Sequence, residues 1–161
     1  MGKNEKPLIF GEHQKSKIQW SDNLLVGHSG IDETHREFVT LANALSESCE
    51  ESAPTRLHQL EEHLMSHFDN EKLLMEKTEF PATDCHIEEH AKVFDAVVLV
   101  RERYSDGTAS LNDIKRLAQA LIDWFPGHIF YMDSALSTWV SKKTHNGSPL
   151  ILHRSKPSSS T

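Results

Sequence analysis

Eleven histidines are spread through 161 residues, and several stand at helical spacing from a carboxylate or from another histidine. His67-Phe-Asp-Asn-Glu71 is an i,i+4 pair. At about 100° per residue the two side chains lie within about 40° of each other and one turn apart, so both can address the same ion. His86-Ile-Glu-Glu-His90 repeats that geometry with two imidazoles. His128 and Asp133 are five residues apart, splayed by roughly 140° on an α-helix, so they could not share one close site unaided. They could bracket a wider two-metal centre, with Asp133 reaching across. His35 adds a fifth imidazole. A single six-coordinate ion cannot use five imidazoles and two carboxylates, whereas two ions with bridging carboxylates can. Nitrogen and oxygen ligands without thiolate suit iron and manganese, and suit zinc less well. Each piece alone has an ordinary reading: a histidine at a helix start for His35, surface i,i+4 hydrogen bonds for the pairs. The metal reading rests on the set.

Such ligands need rigid elements to aim them. The hydrophobic periodicity predicts four helices and no strand of useful length. The first begins near Asp32, taken as its N-cap, and ends before Pro54, with His35, Phe38, Leu41, Ala42 and Leu45 on one face. The second runs from about Thr55 to Lys77 and carries Leu57, Leu60, Leu64, His67, Phe68, Glu71, Leu74 and Met75, with Pro81 closing the segment. The third runs from Thr83 or Asp84 to about Tyr104, with His86, His90, Val93, Phe94, Val97 and Val100 inward. Ser105-Asp106-Gly107 is a turn. The fourth runs from Ser110 to about Lys143 through Leu111, Ile114, Leu117, Leu121, Trp124, Phe125, His128, Met132, Leu136 and Val140. Pro126 removes a backbone bond and crowds the Ile122 carbonyl, which predicts a kink there.

The expected fold is all-α: an antiparallel up-down four-helix bundle over 20–143, after an irregular N-terminal arm (1–19) and before a flexible C-terminal tail (144–161). The length suits one domain with its own core. Lys and Arg number 17 against 24 Asp and Glu, for a formal charge of −7. That balance gains nothing from phosphate backbones or anionic lipid, so neither nucleic acid nor membrane is an expected partner. No apolar run suits a signal peptide or a membrane span. Cys49 and Cys85 match no zinc or redox spacing and read as free thiols in a cytoplasm. His28, His58, His63, Glu88 and Glu89 fall off the ligand faces. His58, His63 and both glutamates are expected in solvent. His13, His145 and His153 fall in the terminal segments.

The segments Ile31-Asp-Glu-Thr-His35, His67-Phe-Asp-Asn-Glu71, His86-x-x-x-His90 and Trp124-Phe-Pro-Gly-His128-Ile-x-x-x-Asp133 resemble the hemerythrins, most closely the bacterial ones. Trp20 and Val26-Gly27 before the first helix share the resemblance, which covers about residues 18–143. It implies a diiron cofactor. His86, His90 and His128 hold one iron, His35 and His67 hold the other, and Glu71 and Asp133 bridge the pair together with an oxide or hydroxide. Oxygen binds at the free position of the two-histidine iron, in a pocket walled by Phe38, Phe68, Trp124, Phe125 and Ile129. Phe125 departs from the leucine that many members carry.

The expected function is reversible O2 binding by a non-haem diiron protein of a bacterial cytoplasm, in oxygen transport, storage or sensing, with nitric oxide and azide as alternative ligands. A ligand set rich in imidazole favours binding, because diiron oxygenases use more carboxylates. The alternatives are a diiron enzyme that reduces nitric oxide or peroxide, and a partner-directed oxygen or redox sensor working through the tail.

Overall fold

A computed structural model describes residues 17–144. The expected tail beyond Thr144, which itself ends the last helix, and the first sixteen residues of the expected arm, with His13, His145 and His153, lie outside the described residues. Within them the elements are a 3₁₀ turn (Asp22–Leu24), α1 (Ser29–Ser46), α2 (Ala53–Thr78), α3 (Thr83–Ser105), α4 (Leu111–His128), a π-helical turn (Ile129–Asp133) and α5 (Ser134–Thr144). Helix α4, the π turn and α5 together form the fourth leg. Neighbouring legs pack in sequence order and α1 closes against α4, giving a four-helix bundle. The connections are only a few residues long, as antiparallel neighbours require.

The ends follow local chemistry. Ser110 and Asp113 form a reciprocal capping box at the start of α4, which satisfies two otherwise unpaired donors. Gly107, at φ +80°, ends α3 in the left-handed region. There the Thr108 N–H reaches back to the Arg103 carbonyl at 2.8 Å, the pairing of a Schellman turn. Pro54 falls in the first turn of α2, where a missing N–H costs nothing.

Two expectations are corrected. Helix α1 starts at Ser29, and His28 is its N-cap, with its side chain accepting from the Ile31 N–H. Asp32 sits inside the first turn, 7% exposed. Its carboxylate accepts from the N–H groups of Val26 (2.7 Å) and Gly27 (3.1 Å). It therefore ties the leading segment onto the helix; a carboxylate near a helix N-terminus is also favoured by the dipole. The second correction concerns the fourth leg, where helical bonding continues through Pro126 to His128 and the irregularity falls three residues later, at 129–133.

The interior is layered. A large apolar cluster, including Phe38, Leu45, Leu57, Leu60, Leu64, Val97, Ile114 and Phe125, fills one end of the bundle. A smaller one of Ile31, Met75, Leu136 and Val140 fills the other. The histidine and carboxylate positions fall between the two on each leg. Each fully buried Leu or Phe contributes about 1.5–3 kcal/mol, so the apolar ends stabilise a polar middle layer that offers no such gain itself. No helix among the described residues is long and apolar enough to cross a membrane.

Candidate metal centre

Helix α1 supplies His35, α2 supplies His67 and Glu71, α3 supplies His86 and His90, α4 supplies His128, and the π turn supplies Asp133. All seven are buried, at 0% for His35 and Asp133 and at most 5% for the others. They form two groups. Ligating atoms of Glu71, His86, His90, His128 and Asp133 lie within 4.8 Å of one another, and so do those of His35, His67 and Glu71.

The carboxylates join the groups oxygen by oxygen. Glu71 Oε1 is 2.9 Å from His67 Nε2, while its Oε2 is 3.4 Å from His86 Nε2 and 3.5 Å from His90 Nε2. Asp133 Oδ2 is 3.1 Å from His35 Nε2, while its Oδ1 is 3.1 Å from His86 Nε2 and 3.2 Å from His128 Nε2. Each carboxylate thus turns one oxygen to the two-imidazole group and the other to the three-imidazole group.

The π turn explains how Asp133 arrives there. In a π turn the i→i+5 bond replaces i→i+4. The Ser134 N–H bonds to the Ile129 carbonyl in that pattern, and the Ser134 hydroxyl donates to the same oxygen at 2.8 Å. The wider turn returns residue i+5 to the face of residue i, so the pair splayed on an ideal α-helix meets at 3.2 Å. Phe130 and Tyr131 form the outer side of the turn, 70% and 76% exposed.

The donor set fits a metal. Both nitrogens of His35 and His86, Glu71 Oε2 and both Asp133 oxygens are buried without a hydrogen-bond partner, despite neighbours near 3 Å. Buried polar atoms are ordinarily paired. Lone pairs that converge on common points, and not on one another's protons, are what a cation would satisfy. His90 Nε2 and His128 Nε2 stand 3.0 Å apart, close to the separation of roughly 3 Å expected of cis ligands with bonds of roughly 2.1 Å to one ion.

Rings hold the imidazoles in place. Phe68 stacks on His90 at 3.8 Å and 10°, and Trp124 stacks on His128 at 4.4 Å. The Trp124 indole N–H donates to Glu89 Oε1 at 3.1 Å. Glu89 therefore anchors a wall residue and is not the solvated glutamate its position on α3 suggested. Phe125 meets His35 edge-on at 5.1 Å and Phe38 at 4.1 Å. Ile129 is 2% exposed. Of the five expected pocket residues, Phe38 and Phe125 stand on the His35 side, while Phe68 and Trp124 cover the three-imidazole group.

His63 is the second misplaced residue. Its side chain is only 9% exposed, with its ring 5.8 Å from that of His67. Its lack of ligand spacing predicts solvent exposure, yet it lies one turn before His67 on α2. That i,i+4 relation was the available signal. His58 is 64% exposed, as expected, and Cys49 and Cys85 are free and exposed.

In the metal-free protein, electrostatics tie these groups to pH. Burial and the Asp133 charge push Glu71 up, but the hydrogen bond with His67 and the adjacent His86 imidazole outweigh them and hold it at about 2. Burial likewise raises Asp133, and the close imidazoles of His128, His35 and His86 hold it well below the usual carboxylate range. Burial lowers His90 to about 3, and lowers His63 to about 4 with help from His67 and His35. Burial also opposes charge on His86, but the adjacent carboxylates of Asp133 and Glu71 win and raise it to about 9. The two carboxylates contribute stability that is complete above their ordinary values and lost as pH falls. His63 and His90, kept neutral, act in the same sense below 6.5. His86 acts oppositely: its contribution is complete below 6.5 and lost as pH rises through about 9. Metal-free protein is therefore expected to melt at its highest temperature near neutrality, with the acid side falling more steeply. Thermal unfolding followed by circular dichroism across the pH range checks this, and a flat melting temperature between pH 6.5 and 9.5 would contradict the His86 contribution.

Residues 26–140 match the family model described as the hemerythrin HHE cation binding domain. A protein of Ralstonia nicotianae named bacteriohemerythrin is 35% identical over 126 residues, covering 78% of this chain and 90% of that protein. A bacteriohemerythrin of Stenotrophomonas maltophilia is 27% identical over 127 residues, 76% of this chain and 81% of its own length. A hemerythrin-like protein of Naegleria gruberi is 30% identical over 115 residues, 71% and 86% of the two chains.

Proposed function

The chain belongs to the hemerythrin family, and from that premise we propose that it is a non-haem diiron protein that binds dioxygen reversibly, as a carrier, store or sensor. The observation that carries this reading is the division of oxygens at Glu71 and Asp133, each facing both imidazole groups. A carboxylate placed in that way suits a bridge between two ions. His86, His90 and His128 would hold one ion, and His35 and His67 the other. Three imidazoles against two would leave the free position on the His35 and His67 side. Bound iron supplies reversible one-electron chemistry and that open position for oxygen.

The side chains supply the rest. Phe38 and Phe125, 0% and 1% exposed, close the His35 side and exclude water, which protects a bound ligand from protonation and loss. Phe68 and Trp124 fix the ring planes of His90 and His128, as groups surrounding a metal's ligands commonly do. The close packing of Phe38 on Phe125 favours a diatomic or triatomic ligand over an organic substrate.

Anaerobic loading with ferrous ion is expected to give two irons per chain. Oxygen should then raise a strong visible band that disappears on deoxygenation, and azide should raise one on the oxidised protein. Retention of fewer than two metals per chain would refute the diiron reading. Continuous consumption of oxygen, nitric oxide or peroxide with a reductant would replace reversible binding with turnover.

A further inference from the structure

His63, its side chain only 9% exposed, is a largely covered imidazole that neither ligand group includes. Its Nδ1 stands 3.5 Å from Glu37 Oε2 at the surface, and Glu37 is 63% exposed. Its Nε2 is buried and has no hydrogen-bond partner. The ring lies edge-on to His67 at 5.8 Å and 6.5 Å from the ring of Phe38. Phe38 in turn packs on Phe125, and Phe125 on His35. His63 thus shares the layer that closes the two-imidazole side, and it brings the one hydrogen-bonding atom among the aromatic walls there. An unpaired buried polar nitrogen costs about 1–3 kcal/mol. Leucine or phenylalanine at this position would fill the space without that cost; the imidazole faces Glu37 and the Thr34 backbone of α1, and its Nε2 keeps the capacity to bond a small ligand.

We propose that His63 is a positioning residue whose Nε2 hydrogen-bonds to the small ligand held on the His35 and His67 side, selecting ligands that carry or develop negative charge. The inference rests on the oxygen-binding reading above. In an apolar pocket a single donor to a charged acceptor is worth more than at the surface, because no water competes for either group. Neutral imidazole can carry its proton on either nitrogen, and the 3.5 Å contact with a solvated Glu37 is too long to fix it on Nδ1. An anionic ligand would draw the proton to Nε2.

Azide is the probe, titrated into the oxidised, iron-loaded full chain. In His63→Leu the dissociation constant for azide is expected to rise about tenfold, the loss of one hydrogen bond to a charged group. The antisymmetric stretch of bound azide should shift in the infrared, with iron content unchanged and the metal-free chain melting no lower than the parent. His63→Gln, which restores an amide N–H, should return affinity to within about threefold and restore the stretch. A His63→Leu protein that keeps its iron and binds azide with parental affinity and frequency overturns the proposal. Loss of iron from His63→Leu and His63→Gln alike overturns it too, because His63 would then belong to the metal-holding set. An iron-loaded parent that binds neither oxygen nor azide removes the oxygen-binding reading itself, and this inference with it.

Discussion

Replacing Glu71 with alanine is expected to reduce iron uptake from two ions per chain to fewer than one and to abolish the visible band. Glu71 is the residue common to both ligand groups, so on the diiron reading its loss would remove a donor from each ion and half of the link between them. Changes to groups that merely support ligands cost about 10- to 100-fold in metal affinity, so losing a shared ligand should cost at least about 100-fold. The metal-free fold should survive, since the apolar clusters on either side of the ligand layer are untouched. The matched control is Glu62→Ala. His58 and Glu62 have the same i,i+4 spacing on the same helix, at 3.3 Å, but are 64% and 63% exposed, and that variant should load iron normally. Equal loading by both variants, measured as metal per chain after gel filtration, would overturn the assignment of Glu71.

Phe125→Ala is expected to damage both stability and ligand retention. The ring is 1% exposed and packs against Phe38 at 4.1 Å and His35 at 5.1 Å. Truncating a buried phenylalanine costs about 3–5 kcal/mol, which lowers the melting temperature by about 10 °C in a chain of this size. The cavity opens beside His35, where water would enter the layer that now excludes it. The oxygenated form should therefore oxidise irreversibly several-fold faster, followed as the decay of its visible band. Phe125→Leu fills most of the volume and should recover most of both losses. An alanine variant whose metal-free form melts like the parent would mean that Phe125 does not seal the site.

His58/Glu62 and His67/Glu71 also show how far local reading reaches. Their spacing is identical, and only the apolar register of α2, through Leu57, Leu60 and Leu64, distinguishes the exposed pair from the buried one. That register was legible, because burial on an amphipathic helix repeats every 3.6 residues. The same logic does not reach His63, which lies at the margin of the stripe and is covered by Phe38 from α1 as well as by its own helix. Glu89 on α3 was misread for a related reason. Its partner, the Trp124 indole, lies 35 residues away, and no periodicity within α3 encodes it.

The sequence by itself determined the four-legged helical plan, the closing turns and the seven metal-ligand candidates, because helix period, caps and donor chemistry are properties of neighbouring residues. Only the tertiary structure decided how those candidates converge. The π turn at Ile129–Asp133 has no propensity signal of its own. It is held by what Asp133 meets on arrival, the imidazoles of His35, His86 and His128, and these belong to three different helices. A backbone irregularity that is repaid by contacts from distant elements cannot be read from the segment that carries it, since the energy that selects it exists only once the bundle has closed.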